Sequence, residues 1–123
     1  MSHPDFILLY VDHVQTSASF YSRLFDCTPV ESSNDFALFI LKSGLKLGLW
    51  TRQAVAPTAQ LTGGGSELGI HEASHAAVDA CHTRWQALGL TILQPPVQMD
   101  FGYTFVALDP DNHRLRVFCP GAA

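Results

Sequence analysis

Basic residues and cysteines are few in this chain. Of its 123 residues only seven are Lys or Arg, scattered along the sequence, and the formal net charge is −4. Scattered cations leave no contiguous basic patch for a phosphate backbone, so no nucleic-acid partner is expected. The three cysteines, Cys27, Cys81 and Cys119, are an odd number without C-x-x-C spacing. Neither a disulfide framework nor a cysteine zinc knuckle is predicted.

Long hydrophobic runs are also missing. No apolar stretch approaches the roughly 18 residues of a membrane-spanning helix, and residues 1–5 show no charged leader followed by an apolar segment. We therefore expect a soluble, cytoplasmic protein without a membrane partner. An apolar fraction of 47% with 15% charged residues is typical of a globular chain, either one domain or two small halves that share a core.

The segment G-I-H-E-A-S-H contains H-E-x-x-H, the signature of zinc metalloproteases, at His71, Glu72 and His75. That chemistry needs both histidines on one helical face. Residues 67–70 instead predict a strand, and Ser74 is a favourable helix N-cap. His71 is therefore expected at a strand end and His75 at a helix start, which disfavours a zinc protease. A weak metal site through His71, His75 or His113 is left open.

The two halves of the chain repeat one order of elements. Apolar runs of strand length, an amphipathic segment of helical spacing and turn residues such as D-P-D-N-H at 109–113 recur in both halves. The predicted elements are a strand at 6–11, a helix at 16–26, a short strand near Val30 and a hairpin at 36–41 and 45–50, then a strand at 67–70, a helix ending at Gly89, and strands at 90–93, 103–108 and 115–118. The sequence predicts an α+β fold with two βαβββ modules, about 5–52 and 66–120, joined by a connector at 53–65.

Two stretches carry a resemblance to a known family. They are Val11-Asp12 followed by Ser17-x-x-Phe20-Tyr21, and F-G-Y-T-F-V-A-L-D-P-D-N-H-R-L-R-V-F at 101–118. With the duplicated βαβββ units, they resemble the vicinal oxygen chelate superfamily, which includes glyoxalase I, extradiol dioxygenases, fosfomycin-inactivating enzymes and bleomycin-binding proteins. The resemblance implies curled mixed sheets, two half-barrels that enclose a cleft, and a homodimer that is domain-swapped in many members.

The resemblance also implies where a divalent metal would bind. The three ligand positions of the family fall on Phe6, Glu67 and Arg116, of which one could be a ligand and one is a cation. A fixed positive charge disfavours metal binding there, so no cofactor is expected and a binding role is favoured over an enzyme.

A cleft without a metal keeps its lining, which strand alternation predicts. Internal symmetry pairs Gly48 with Arg116 and Trp50 with Phe118, so that Trp50 points inward and Gly48 leaves room beside it. Stacking of a flat ligand on such rings contributes roughly 0.5 to 1.5 kcal/mol per pair beyond area burial. The predicted ligand-binding residues are Phe6, Tyr10, Gly48, Trp50, Glu67, Phe101 and Arg116, although Phe6 and Phe118 are also typical core residues.

Three functions follow as hypotheses. The first is a metal-independent protein that sequesters a planar aromatic antibiotic or metabolite in a dimer cleft, as phenazine- or bleomycin-type resistance proteins do. The alternative is a metal-dependent glyoxalase-like lyase or transferase that uses Glu67 with His71 or His113. The third is a regulatory or structural dimer whose cleft is filled by side chains.

Overall fold

A computed structural model of the chain describes residues 2–121. The chain divides between Gly63 and Gly64 into two compact units, which we call module 1 and module 2. Within the described residues, each module holds one α-helix and one four-stranded mixed sheet in the order βαβββ. The predicted α+β class with two βαβββ modules is confirmed.

Module 1 forms the sheet order β1-β4-β3-β2. The first strand runs parallel to the last, and the other pairs are antiparallel. Its elements are β1 Phe6–Val11, α1 Val14–Phe25, β2 Glu31–Ser32, β3 Phe36–Ile40 and β4 Lys46–Thr51, followed by a 3₁₀ turn at Arg52–Ala54.

Helix α1 begins two residues before the predicted start. His13 lies in an extended conformation at the N-cap, and its C=O accepts the N–H of Ser17 at 3.1 Å. The helix ends at Asp26, whose left-handed backbone (φ 51°) lets its N–H bond the C=O of Ser22. Tyr21 and Leu24 are buried toward the sheet, so the amphipathic pattern identified the correct face.

Module 2 has the same arrangement, in the sheet order β5-β8-β7-β6 with β5 parallel to β8. Its elements are β5 Glu67–His71, α2 His75–Ala87, β6 Thr91–Met99, β7 Gly102–Leu108 and β8 Arg114–Pro120. Val78 and Trp85 of α2 are buried, with the Trp85 ring edge-on to Phe105 at 5.4 Å between centroids.

Strand β6 is longer than predicted because Pro95 and Pro96 do not end it. It is an edge strand, where a missing backbone N–H is tolerated, and its pairing with β7 is irregular between Ile92 and Val97. The register shifts absorb the two prolines.

The strand registers agree with the internal symmetry read from the sequence. Leu8 pairs with Gly48 in module 1, and Gly69 pairs with Arg116 in module 2. The turns at 41–45 and 109–113 also share two backbone hydrogen bonds, of 2.9 Å each in module 1 and of 3.0 and 3.1 Å in module 2. In module 2 the Oδ1 of Asp109 additionally accepts the N–H groups of Asp111 and His113, so His113 is buried within a turn.

In the described part of the chain, no helix is long and apolar enough to span a bilayer.

Candidate functional site

The H-E-x-x-H segment spans two different elements. His71 is the last residue of β5, and His75 is the first residue of α2. Between them, Ser74 caps the helix by accepting the Ala77 N–H at 3.0 Å. As predicted, the two histidines do not share a helical face, and within residues 2–121 no three or more His, Cys, Asp and Glu side chains form a group that could hold a metal ion.

Both histidines contact aromatic rings instead. His71 meets Phe118 edge to face, with centroids 5.8 Å apart, while His75 stacks on Tyr103 at 4.5 Å. The hydroxyl of Tyr103 donates to Oδ1 of Asp79 at 2.6 Å, and this hydrogen bond raises the pKa of Tyr103. The first residue of α2 is thereby packed against strand β7.

Each sheet has one face toward its helix and one face away from it. On β1, Leu9 and Val11 are 6% and 0% exposed, whereas Phe6 and Leu8 on the other face are each 42% exposed. Apolar side chains on the outer face are thus far more accessible than their neighbours in the core. We call this the outer face of module 1.

Three aromatic residues form a row across the outer face of module 1. Trp50 of β4 pairs with Tyr10 of β1 on one side and with Phe36 of β3 on the other. Paired residues in a sheet project from the same face, so the three rings share one row. Trp50 and Tyr10 are half-buried. The alternation of β1 and β4 predicted two members of this row and missed Phe36.

Gly48 does not leave an open space beside this row. A Cβ at Gly48 would lie 2.6 Å from Cδ2 of Leu8, 2.9 Å from Cε1 of Phe6 and 3.3 Å from Cζ of Phe36. The glycine instead lets these three side chains approach the backbone of β4. The sequence shows that residue 48 has no side chain, but it does not show which rotamers of the neighbouring side chains occupy the space beside it.

An ion pair dominates the outer face of module 2. Arg116 of β8 donates from Nε to Oε1 of Glu67 at 2.7 Å and from Nη2 to Oε2 at 3.0 Å. This bidentate geometry is the strong form of an arginine–carboxylate pair. The hydrogen bond from Arg116, with the charges of Arg116 and Arg114, holds the pKa of Glu67 below its ordinary value despite an opposing contribution from partial burial.

Two further residues hold Arg116 in place. Its Nη1 donates to Oγ1 of the buried Thr104 at 3.4 Å, and that hydroxyl donates to the C=O of Val117 at 2.8 Å. The Cζ of Arg116 lies 5.7 Å from the centroid of the Phe101 ring, within cation–π range. Three predicted site residues, Glu67, Phe101 and Arg116, are therefore brought together.

Gly69 is the least crowded position beside the Glu67–Arg116 ion pair. A Cβ there would meet only Cε1 of Phe118, at an ordinary contact distance of 3.5 Å. Gly69 pairs with Arg116 across the sheet, so the exposed backbone of Gly69 lies between an aromatic ring and the ion pair. Sequence reasoning assigned the space for a ligand to Gly48. Phe118 lines this position although it is also a typical core residue.

Residues 3–117 match the family model described as the Glyoxalase/Bleomycin resistance protein/Dioxygenase superfamily. The chain belongs to this superfamily. Among its relatives is the phenazine antibiotic resistance protein EhpR of Enterobacter agglomerans, 29% identical over 122 residues, which cover 95% of this chain and 91% of that protein.

Solved structures share the fold. The solution NMR structure of protein ATC0852 from Agrobacterium tumefaciens is 51% identical and covers 99% of this chain and 100% of that chain, with a TM-score of 0.91. A glyoxalase-related enzyme from Fulvimarina pelagi, 22% identical over 97% of this chain and 88% of that chain, has a TM-score of 0.84. At that identity the similarity shows the fold alone.

The metal positions that the superfamily resemblance assigned do not offer a suitable donor set. Phe6 has no donor atom, and Arg116 is a cation. The Glu67 carboxylate could ligate a metal, but both of its oxygens accept hydrogen bonds from Arg116. A divalent ion would have to displace a guanidinium that already neutralises this carboxylate. These residues do not fit the metal site of the superfamily enzymes.

Proposed function

We propose that the protein is a cytoplasmic homodimer that binds a planar aromatic compound of the phenazine type and sequesters it without a metal. The observation that carries the proposal is the row of Tyr10, Trp50 and Phe36 on the outer face of module 1. Accessible aromatic rings on one face of a sheet are typical of sites that bind flat apolar molecules. The similarity to a phenazine antibiotic resistance protein supports the class of ligand.

Binding without chemical change agrees with the acid–base properties of Glu67. An effective general base has a pKa near the working pH. The pKa of Glu67 is instead lowered, chiefly by the hydrogen bond from Arg116. Both carboxylate oxygens are also engaged, so Glu67 is a weak base that is poorly placed to abstract a proton from a ligand.

The function is tested by titrating the protein with phenazine and measuring affinity by calorimetry and tryptophan fluorescence. Trp50→Ala is expected to weaken binding roughly tenfold, since it removes both stacking and buried apolar area. Trp50→Phe should keep part of the affinity because it retains an aromatic ring. An affinity unchanged in Trp50→Ala would remove the stacking role.

Trp85→Phe is the matched control. Trp85 is 2% exposed and packs against Phe105, so its replacement should leave affinity unchanged. It also leaves Trp50 as the single tryptophan of the chain, and fluorescence quenching then reports on Trp50 alone. Light scattering during size-exclusion chromatography tests the homodimer, for which twice the mass of one chain is expected; a monomer mass with intact phenazine binding would contradict it.

A further inference from the structure

The outer face of module 1 carries a second row of residues beside the aromatic one. Its members, which strand pairing places next to one another and which have no polar side-chain atom, are Leu8, Gly48 and Leu38. The two rows together contain no charged side chain. A flat apolar ring can therefore lie across this face without covering a charge.

Two charged side chains border these rows. Lys46 pairs with Phe6, and Glu31 pairs with Leu38, so both project from the outer face. The Nζ of Lys46 lies 3.9 Å from Oδ2 of Asp5, which offsets its charge. In the described part of the chain, the exposed carboxylate of Glu31 makes no ion pair. The border of the face thus carries one negative charge that no neighbour offsets.

Glu31 is within reach of the aromatic row. It pairs with Leu38, two residues along β3 from Phe36, so Glu31 and Phe36 are diagonal neighbours on the same face. Diagonal neighbours in a sheet lie about 7–8 Å apart, a distance that long side chains and aromatic rings span. The negative charge therefore belongs to the Phe36 end of the row.

The rings of the row favour the same sign of ligand charge. An aromatic ring attracts a cation placed over its face, and Trp does so most strongly. Trp50 is the middle member of the row, with a Tyr and a Phe as its strand partners. The charged residues that follow Tyr10 and Trp50 along the chain, Asp12 and Arg52, form an ion pair at 3.1 Å and offset each other. The rings and Glu31 together present a negative potential to a ligand.

We propose that the aromatic ligand is a planar cation, which lies over Trp50 with its positive charge toward Phe36 and Glu31. The inference rests on the proposed function and adds to it the charge of the ligand. Glu31 is thus a specificity-determining residue that selects charge, whereas Trp50 provides the stacking surface.

The test compares phenazine with N-methylphenazinium, which has the same ring system and a permanent positive charge, by calorimetry at pH 7 in the dark. The wild-type protein is expected to bind the cation about fivefold more tightly, through the rings and the carboxylate together. Glu31→Gln keeps the size of the side chain but removes its charge. It should reduce the preference to about twofold, the share that the rings contribute, and leave the affinity for phenazine unchanged. Raising the ionic strength should lower the preference of the wild-type protein in the same way, because Glu31 is exposed.

Asp26→Asn is the matched control. It removes the same charge from module 1, but at the end of α1, which packs on the other face of the sheet, and Asn tolerates the left-handed backbone there (φ 51°). The preference for the cation should persist in this variant. Equal or weaker binding of the cation by the wild-type protein, or an undiminished preference in Glu31→Gln, would overturn the inference and leave phenazine binding intact. If neither compound binds, the proposed function fails together with the inference.

Discussion

At the scale of single residues, Glu67 and Arg116 set the chemistry of the module 2 face. Their bidentate pair neutralises the one carboxylate found at the three metal positions of the superfamily.

The lowered pKa of Glu67 predicts a pH-dependent contribution to stability. A carboxyl group whose pKa is lower in the folded protein stabilises the fold above its unfolded pKa of about 4.3, and this contribution is lost as pH falls through the folded value. Glu67→Gln should therefore lower the free energy of unfolding at pH 7 by at most about 1 kcal/mol, since the pair is partly exposed. Urea denaturation should show the difference from wild type shrinking as pH falls below about 4.3 and vanishing below the folded pKa of Glu67; a constant difference would contradict the assignment.

Two glycines should separate ligand binding from stability. Gly69→Ala adds a methyl group that meets only Cε1 of Phe118, at an ordinary contact distance of 3.5 Å, so thermal stability should persist while the affinity for a ligand bound on this face falls. Gly102→Ala should instead destabilise the fold by roughly 1 to 3 kcal/mol. Its backbone has φ 153°, and a Cβ would lie 2.8 Å from Cα of Pro120 and even closer to the C=O of Cys119. Thermal denaturation with parallel binding assays checks both, and unchanged stability of Gly102→Ala would be the contrary result.

The sequence could predict which face of a sheet a side chain lies on, because strand alternation decides that. It could not predict the contacts between side chains, because these depend on the rotamers of neighbouring residues. Strand period placed Phe6, Tyr10 and Trp50 on one face of the sheet, and the observed register agrees. The contact of Arg116 with Glu67 runs diagonally across two strands, since Glu67 pairs with Arg114 and Arg116 with Gly69. Such a contact depends on long side-chain rotamers that no sequence period specifies.

At the scale of elements, the two helices differ in how they begin. Ser74 caps α2 with its hydroxyl, whereas His13 precedes α1 without a side-chain cap bond. The Ser74 cap also explains why H-E-x-x-H is divided: the chain must leave the extended conformation of β5 before the helix can start.

Ser74→Ala should lower the free energy of unfolding by about 1 kcal/mol, because the Ala77 N–H loses its acceptor. His13→Ala is the paired control and should have little effect on stability. His13→Ser should be neutral or stabilising, as it supplies the missing hydroxyl. Chemical denaturation of the three variants measures these differences. Equal losses in Ser74→Ala and His13→Ala would show that the cap bond is not the cause.

Most elements could be predicted because their apolar periods are clear. β1 was predicted at its observed bounds, and the start of α2 was indicated by Ser74. The end of β6 was wrong because two prolines usually end a strand, and only the sheet order reveals that this strand is at an edge. The first residues of α1 were missed since His13 is not a typical capping residue.

At the scale of the whole molecule, the chain is a superfamily member whose duplicated modules carry different outer faces. Module 1 presents aromatic rings, and module 2 presents an ion pair beside an open glycine. Matching strand registers and turn hydrogen bonds show that the shared backbone plan does not require shared side chains.

Removal of divalent metals should leave the purified protein unchanged. Since the Glu67 carboxylate is already neutralised by Arg116, treatment with EDTA is expected to alter neither the unfolding midpoint nor the affinity for phenazine. Elemental analysis should find less than stoichiometric zinc, nickel, manganese or iron. A stoichiometric metal whose loss abolishes activity would instead favour a metal-dependent lyase or transferase.

The pairing of Arg116 with Glu67 has a consequence for how the protein becomes ready to act. A metal has to be acquired from the surroundings, in competition with every other protein that needs it. A guanidinium is synthesised with the polypeptide and reaches its position as the sheet forms. If the protein binds its ligand without a metal as proposed, each new chain is competent as soon as it has folded, even in a cell starved of metal ions.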